Sequence, residues 1–75
     1  MSSPQTLDLR GVPCPLSFVR AKLYLEKCSS GTPVDIWLNG GEPIEQVPNS
    51  LSLDGHLIQQ ISAQADFFVL TVVKA

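Results

Sequence analysis

The sequence predicts an α/β (α+β) two-layer sandwich of order β-α-β-α-β-β, with a four-stranded mixed sheet and two helices on one of its faces. Three observations predict it. Residues 6–10 and 33–39 alternate apolar and polar side chains with the period of a half-buried strand. Residues 15–29 and 42–53 repeat apolar side chains at helical spacing. Residues 67–73 are nearly continuous in apolar side chains, which marks a central strand. Two helices laid over one face of a single sheet is the economical way to bury all of these. Seventy-five residues make one domain, 1–75, with a core from about 6 to 74. Such a chain is near the lower limit of what folds unaided, because it buries only about 60% of the surface it exposes unfolded.

The first strand, residues 6–10, places Leu7 and Leu9 on one face and Asp8 and Arg10 on the other, and Gly11 ends it. The first helix is expected over 15–29, with Ser29-Ser30-Gly31 as its stop and Gly31 suited to the left-handed turn after it. At 100° per residue this helix carries two apolar stripes. Phe18, Ala21, Leu25 and Cys28 form one; Leu16, Val19 and Leu23 form the other, with Lys22 and Glu26 between them on one side and Arg20 and Lys27 on the other. One sheet needs one stripe, and the stripe with the phenylalanine is assigned to it. The second, with Arg20 beside it, is then either a partner-docking patch or a surface that packs on the second helix.

The second strand, 33–39, turns Val34, Ile36 and Leu38 inward and Asp35, Trp37 and Asn39 outward. Without basic neighbours, Trp37 is expected to cover apolar sheet surface rather than to stack on a base. Gly40-Gly41 is a turn; it lacks the further glycines and the lysine of a phosphate loop. The second helix, 42–53, has Ile44, Val47 and Leu51 at helical spacing and Asp54-Gly55 as its stop. Pro48 cannot donate to the carbonyl of Ile44, which predicts a kink or a separate first turn. Glu42 and Glu45 complement the dipole at its start. Residues 56–63 and 67–74 form a closing hairpin through 64–66.

The chemistry gathers at Gly11-Val12-Pro13-Cys14-Pro15-Leu16-Ser17. Pro15 suits the first turn of a helix, where its missing N–H costs nothing and its φ is already helical. Cys14 then stands at the cap, a position that normally takes an oxygen-bearing side chain. A thiol caps poorly, but the uncapped amides and the helix dipole favour its thiolate and make it a better nucleophile. Val12 and Cys14 both precede a proline, so both are steered out of the helical region and the loop is stiff. The competing reading of a lone cysteine is a small buried hydrophobe.

These residues resemble a family. Leu7-Asp8-Leu9-Arg10-Gly11, Cys14-Pro15, Glu42-Pro43, Val47-Pro48 and Gly55-His56 are similar to the TusA (SirA-like) sulfur carriers, over roughly residues 6 to 74. The family's hallmark is Cys-Pro-x-Pro, whereas this chain reads Cys14-Pro15-Leu16-Ser17, with Ser17 in place of the second proline. The resemblance implies a two-layer fold and a sulfurtransferase that acts as a persulfide carrier. Cys14 would accept sulfur from a cysteine desulfurase or rhodanese-like donor and pass it to an acceptor protein. Arg10, Gly11, Pro13, Pro15 and Ser17 would support the loop and helix start. A tRNA thiolation system, a molybdenum-cofactor route and sulfur metabolism remain open as destinations.

Composition excludes several other classes. Net charge is −2 and the chain has five Lys and Arg in all, too few for a nucleic-acid surface, so no direct nucleic-acid partner is expected. No apolar run approaches the roughly 20 residues that span a bilayer, and Met1-Ser2-Ser3-Pro4 lacks the regions of a signal peptide, so a cytoplasmic monomer without membrane contact is expected. Across a 15–29 helix Cys14 and Cys28 are about 20 Å apart and cannot pair within one chain. Two cysteines and one histidine, scattered, make no zinc site, and neither metal nor cofactor is expected. Cys28, at the electronegative end of its helix, reads as core; His56 reads as solvent-facing or capping rather than catalytic. Arg10, Arg20 and Lys22 are the candidates for positive potential around the sulfur. Two further function classes stay open beside the carrier: a non-catalytic regulatory or adaptor module with the same fold, and an RNA-binding domain.

Overall fold

Alternation and helical periodicity produce the elements in the expected order: β1 (Gln5–Asp8), α1 (Leu16–Glu26), β2 (Pro33–Leu38), α2 (Glu42–Leu53), β3 (Leu57–Ala63) and β4 (Phe68–Val73). The structure is a computed structural model that describes residues 5–13 and 15–75, so Cys14 lies outside the described residues. The four strands form one mixed sheet in the order β1-β2-β4-β3. β1 runs parallel to β2, and β4 is antiparallel to both β2 and β3.

The inward residues of the two central strands, Val34, Ile36, Leu38, Leu70 and Val72, are fully buried. Ala21 and Leu25 of α1 and Val47 and Leu51 of α2 close on them, with Leu9 from the loop after β1. The predicted two-layer core is therefore the observed one. β4 is central as its apolar run implied, but its outward residues Val69, Thr71 and Val73 are only half-buried. Thr71 there donates to the Asp35 carboxylate across the β2–β4 pair at 2.8 Å, which satisfies a polar group on the half-open face. β3 is an edge strand whose register shifts between Ile58 and Gln60, an irregularity of the kind that blunts exposed edges.

Several boundaries differ from the periodicity. β1 ends at Asp8 rather than Arg10, because the Asp8 carboxylate accepts the Arg10 backbone N–H at 3.0 Å and turns the chain. α1 spans Leu16–Glu26 rather than 15–29. Its last N–H groups bond three residues back, Lys27 to Tyr24 and Cys28 to Leu25, which tightens and closes the helix. Gly31 consequently does not end α1; its N–H donates to Lys74 at 2.8 Å and ties the entry of β2 to the end of β4. α2 has the expected bounds, and it runs through Pro48 as one helix, with Pro48 buried among Val47 and Leu51 rather than marking a separate first turn. His56 precedes β3, and its Nδ1 accepts the Ala75 N–H at 3.1 Å, a structural tie.

Candidate functional site

The approach to residue 14 is a turn built from both its backbone and its side chains. Val12 N–H donates to Leu9 C=O at 3.1 Å, and Gly11, the third residue of that turn, has φ 81°, the arrangement of a type II turn that a side chain would strain. Leu9 is buried and its N–H reaches the Trp37 carbonyl at 2.9 Å, continuing the β1–β2 ladder one step into the loop. The two outward N–H groups of the turn also have partners. Asp8 takes that of Arg10, and the side-chain oxygen of Asn39, just beyond β2, takes that of Gly11.

Arg10 is held on the outer side of this turn. Its Nε and Nη2 donate to the two Asp8 oxygens at 3.0 and 2.9 Å, and its guanidinium lies 4.6 Å from the Trp37 ring centre and 4.8 Å from that of Phe67. The two rings pack tilted, 5.2 Å between centres. The hydrogen bonds from the Arg10 side chain, then that from its backbone N–H, hold the Asp8 carboxyl below its ordinary pKa; the same carboxylate raises that of Arg10. Arg10 thus acts as a brace for the turn, its charge committed to Asp8 and two aromatic faces. Trp37 covers the turn with its own chain's arginine rather than only apolar sheet surface.

After Pro13 the chain enters α1. Pro13 C=O accepts the Ser17 N–H at 2.9 Å, and Pro15 C=O accepts that of Val19 at 3.1 Å. Pro15, with φ −88° and ψ 5°, occupies the cap position expected for Cys14, and it brings no side-chain acceptor. Ser17 is the second residue of α1, and it is completely buried. Its backbone N–H, which a proline would lack, joins the helix start to Pro13.

The two stripes of α1 separate cleanly. Ala21 and Leu25 are buried against the sheet, with Phe18 and Cys28 half-buried beside them. Leu16, Val19 and Leu23 are 43%, 42% and 53% exposed, so the second stripe does not pack on α2. Arg20 and Lys22 lie exposed near it. Phe18 also forms, with Pro15, one wall of a groove of about 260 Å³ whose other wall is Glu42, Gln46 and Ser50 of α2. This groove opens beside the helix start and is apolar on the α1 side and polar on the α2 side.

Cys28, at the far end of α1, points its thiol at the Tyr24 carbonyl, 3.4 Å away, and at Gln5 Oε1, 3.8 Å away. Tyr24 donates to the same Gln5 oxygen, and Lys74 Nζ donates to Leu25 C=O at 2.9 Å. Among the described residues, no three His, Cys, Asp or Glu side chains gather as metal ligands, and no helix is long and apolar enough to cross a membrane. Asn39 and Phe67 are site residues that sequence reasoning missed; a lone Asn after a strand has no periodic signature, and its link to Gly11 spans 28 residues.

Comparison with known proteins gives this geometry its relatives. Residues 5–74 match the family model described as Sulfurtransferase TusA. A relative from Archaeoglobus fulgidus, described as a "Putative sulfur carrier protein", is 32% identical over 57 residues, 76% of this chain and 65% of its own length. One of the same description from Thermotoga maritima is 30% identical over 57 residues, 76% of this chain and 72% of its own. The chain thus spans just under two thirds of the first relative. The crystal structure of a SirA-like protein from Desulfitobacterium hafniense superposes with a TM-score of 0.76 at 22% identity, covering 91% of this chain and 93% of that one, which shows the shared fold.

Proposed function

The chain belongs to the sulfurtransferase TusA family, and from that premise we propose that it is a small sulfur carrier that bears sulfur as a persulfide on Cys14. The observation that carries the reading is the braced turn and proline-led helix start on either side of this residue. A type II turn with both outward N–H groups satisfied leads in, and a helix without a side-chain cap leads out. A nucleophile at such a position has the positive end of the dipole before it and little freedom to retreat.

In the transfer, the Cys14 thiolate attacks the outer sulfur of a persulfide on the donor, a cysteine desulfurase or rhodanese-like protein. The donor's S–S bond breaks, the donor cysteine leaves as a thiolate, and a new S–S bond forms on Cys14. The acceptor's thiolate then attacks the outer sulfur of the Cys14 persulfide and releases the Cys14 thiolate. Sulfur moves between thiols with no net oxidation, so neither metal nor cofactor is needed. The Leu16, Val19 and Leu23 stripe, with Arg20 beside it, is the surface that receives the donor protein; it begins two residues after Cys14 and is exposed.

The test is tryptic mass spectrometry after incubation with a cysteine desulfurase, its coenzyme and free cysteine. Cleavage after Arg10, Arg20 and Lys27 puts Cys14 on the peptide 11–20 and Cys28 on 28–74. One added sulfur is expected on 11–20, removed by dithiothreitol, absent in Cys14→Ser and retained in Cys28→Ser. No added sulfur from either a desulfurase or a rhodanese-like donor overturns the carrier reading in favour of a non-catalytic adaptor.

A further inference from the structure

We propose that Asn39 is a positioning residue for Cys14. The inference rests on Cys14 being the reacting group and adds a residue that belongs to no part of the Cys-Pro motif.

In a type II turn the N–H of the third residue points away from the turn's own hydrogen bond, so it needs a partner from elsewhere. Here that N–H is Gly11's, and the half-buried Asn39 supplies the oxygen. The bond matters because the chain between Gly11 and α1 is short and stiff. Only Val12 and Pro13 separate Gly11 from residue 14. Proline fixes its own φ, and the residue before it loses the helical region, so these two residues absorb little change of direction. Beyond them Pro13 C=O is already committed to the Ser17 N–H of α1. An orientation imposed at Gly11 is therefore passed on to the helix start rather than dissipated. Asn39 directly follows β2, whose inward residues are fully buried in the core, so it ties the loop to the buried centre of the sheet.

Sulfur transfer is sensitive to such a reference. Attack on a persulfide requires the incoming sulfur to align with the S–S bond that breaks, and a misplacement of about 1 Å costs on the order of 100-fold in rate. Removal of the Asn39 acceptor should thus slow transfer without weakening donor binding, since the exposed stripe of α1 does not involve residue 39.

The experiment compares the full chain with Asn39→Ala and Asn39→Asp, the second of which keeps an acceptor oxygen at the same reach. Hydrogen exchange of the Gly11 amide reports the bond. Sulfur uptake from a cysteine desulfurase reports the transfer, with the maximal rate separated from the donor concentration at half-saturation. Alkylation by iodoacetamide at neutral pH, taken as the ratio of Cys14 to Cys28, reports the thiol with an internal check on folding. In Asn39→Ala the Gly11 amide is expected to lose protection, the maximal uptake rate to fall about tenfold at unchanged half-saturation, and the alkylation ratio to fall about threefold as the loop leading to residue 14 loosens at Gly11. Asn39→Asp should retain Gly11 protection and recover most of both rates. The proposal is overturned if Asn39→Ala exposes the Gly11 amide while uptake and the ratio stay as in the wild type. It is equally overturned if Asn39→Asp keeps the amide protected yet loses as much as Asn39→Ala. A wild-type chain that takes up no sulfur defeats the carrier reading instead, and the alkylation ratio then decides on Asn39 alone.

Discussion

The two stripes of α1 are both apolar and have opposite fates. Ala21 and Leu25 lose all contact with water against the sheet, while Leu16, Val19 and Leu23, on another side of the same helix, keep about half their surface exposed. The first stripe holds the domain together. The second stays largely in water, and under the proposed function it is the surface that receives the donor protein. The two cysteines divide in the same way. Cys28 extends the buried stripe and turns its thiol onto carbonyl and carboxamide oxygens, whereas Cys14 precedes the exposed stripe in sequence.

Three substitutions or conditions would break or sharpen this contrast. The largest effect is expected from Leu25→Ala, which leaves a cavity where α1 meets the sheet. It should cost about 3 kcal/mol and lower the thermal midpoint by roughly 15 °C, read by calorimetry or circular dichroism. A loss below about 1 kcal/mol would mean that the buried stripe is not the one that holds the fold. Next comes Leu23→Glu, which should change stability by no more than about 0.5 kcal/mol. Sulfur uptake from the donor should fall about tenfold, while alkylation of Cys14 by iodoacetamide stays as it was. Uptake at the wild-type rate would leave the exposed stripe without its assigned role.

The smallest effect concerns the brace on the outer side of the turn. Asp8 is held below its ordinary pKa by Arg10, so its contribution is complete above about pH 3.9 and is lost as pH falls through the lower, native value. Protonation there frees Arg10 from Asp8, and with it the guanidinium over Trp37. Tryptophan fluorescence should therefore change in a step below about pH 3.9 while far-ultraviolet circular dichroism is still native, and the step should vanish in Asp8→Asn. A fluorescence change that only accompanies global acid unfolding would show that the ion pair does not govern the Trp37 environment.

Much of this was legible in the chain itself. The inward set Val34, Ile36 and Leu38, the central place of β4 and both bounds of α2 come from period and punctuation, because each depends on neighbours within a few residues. Gly40-Gly41 precedes α2 as a turn and Asp54-Gly55 ends it. The ends of α1 were less legible: residues 27–29 continue the pattern, but Lys27 and Cys28 bond back to Tyr24 and Leu25 and close the helix early. At its start Pro15 rather than Cys14 takes the cap position, because its φ and ψ already fall short of the helix.

The sequence by itself determined the element order, the side of each strand that faces inward, the existence of two stripes on α1, and the cysteine with a proline on each side. All of these are local consequences of backbone preference and side-chain period. Only the tertiary structure decided which residues hold the loop before Cys14 and which stripe stays in water. Asp8, Asn39, Trp37 and Phe67 come to Arg10 and Gly11 from the ends of three strands. Such meetings depend on the sheet order β1-β2-β4-β3, in which residues far apart in the chain become neighbours. The second stripe is free for the same reason, since the way α2 crosses the sheet leaves it uncovered.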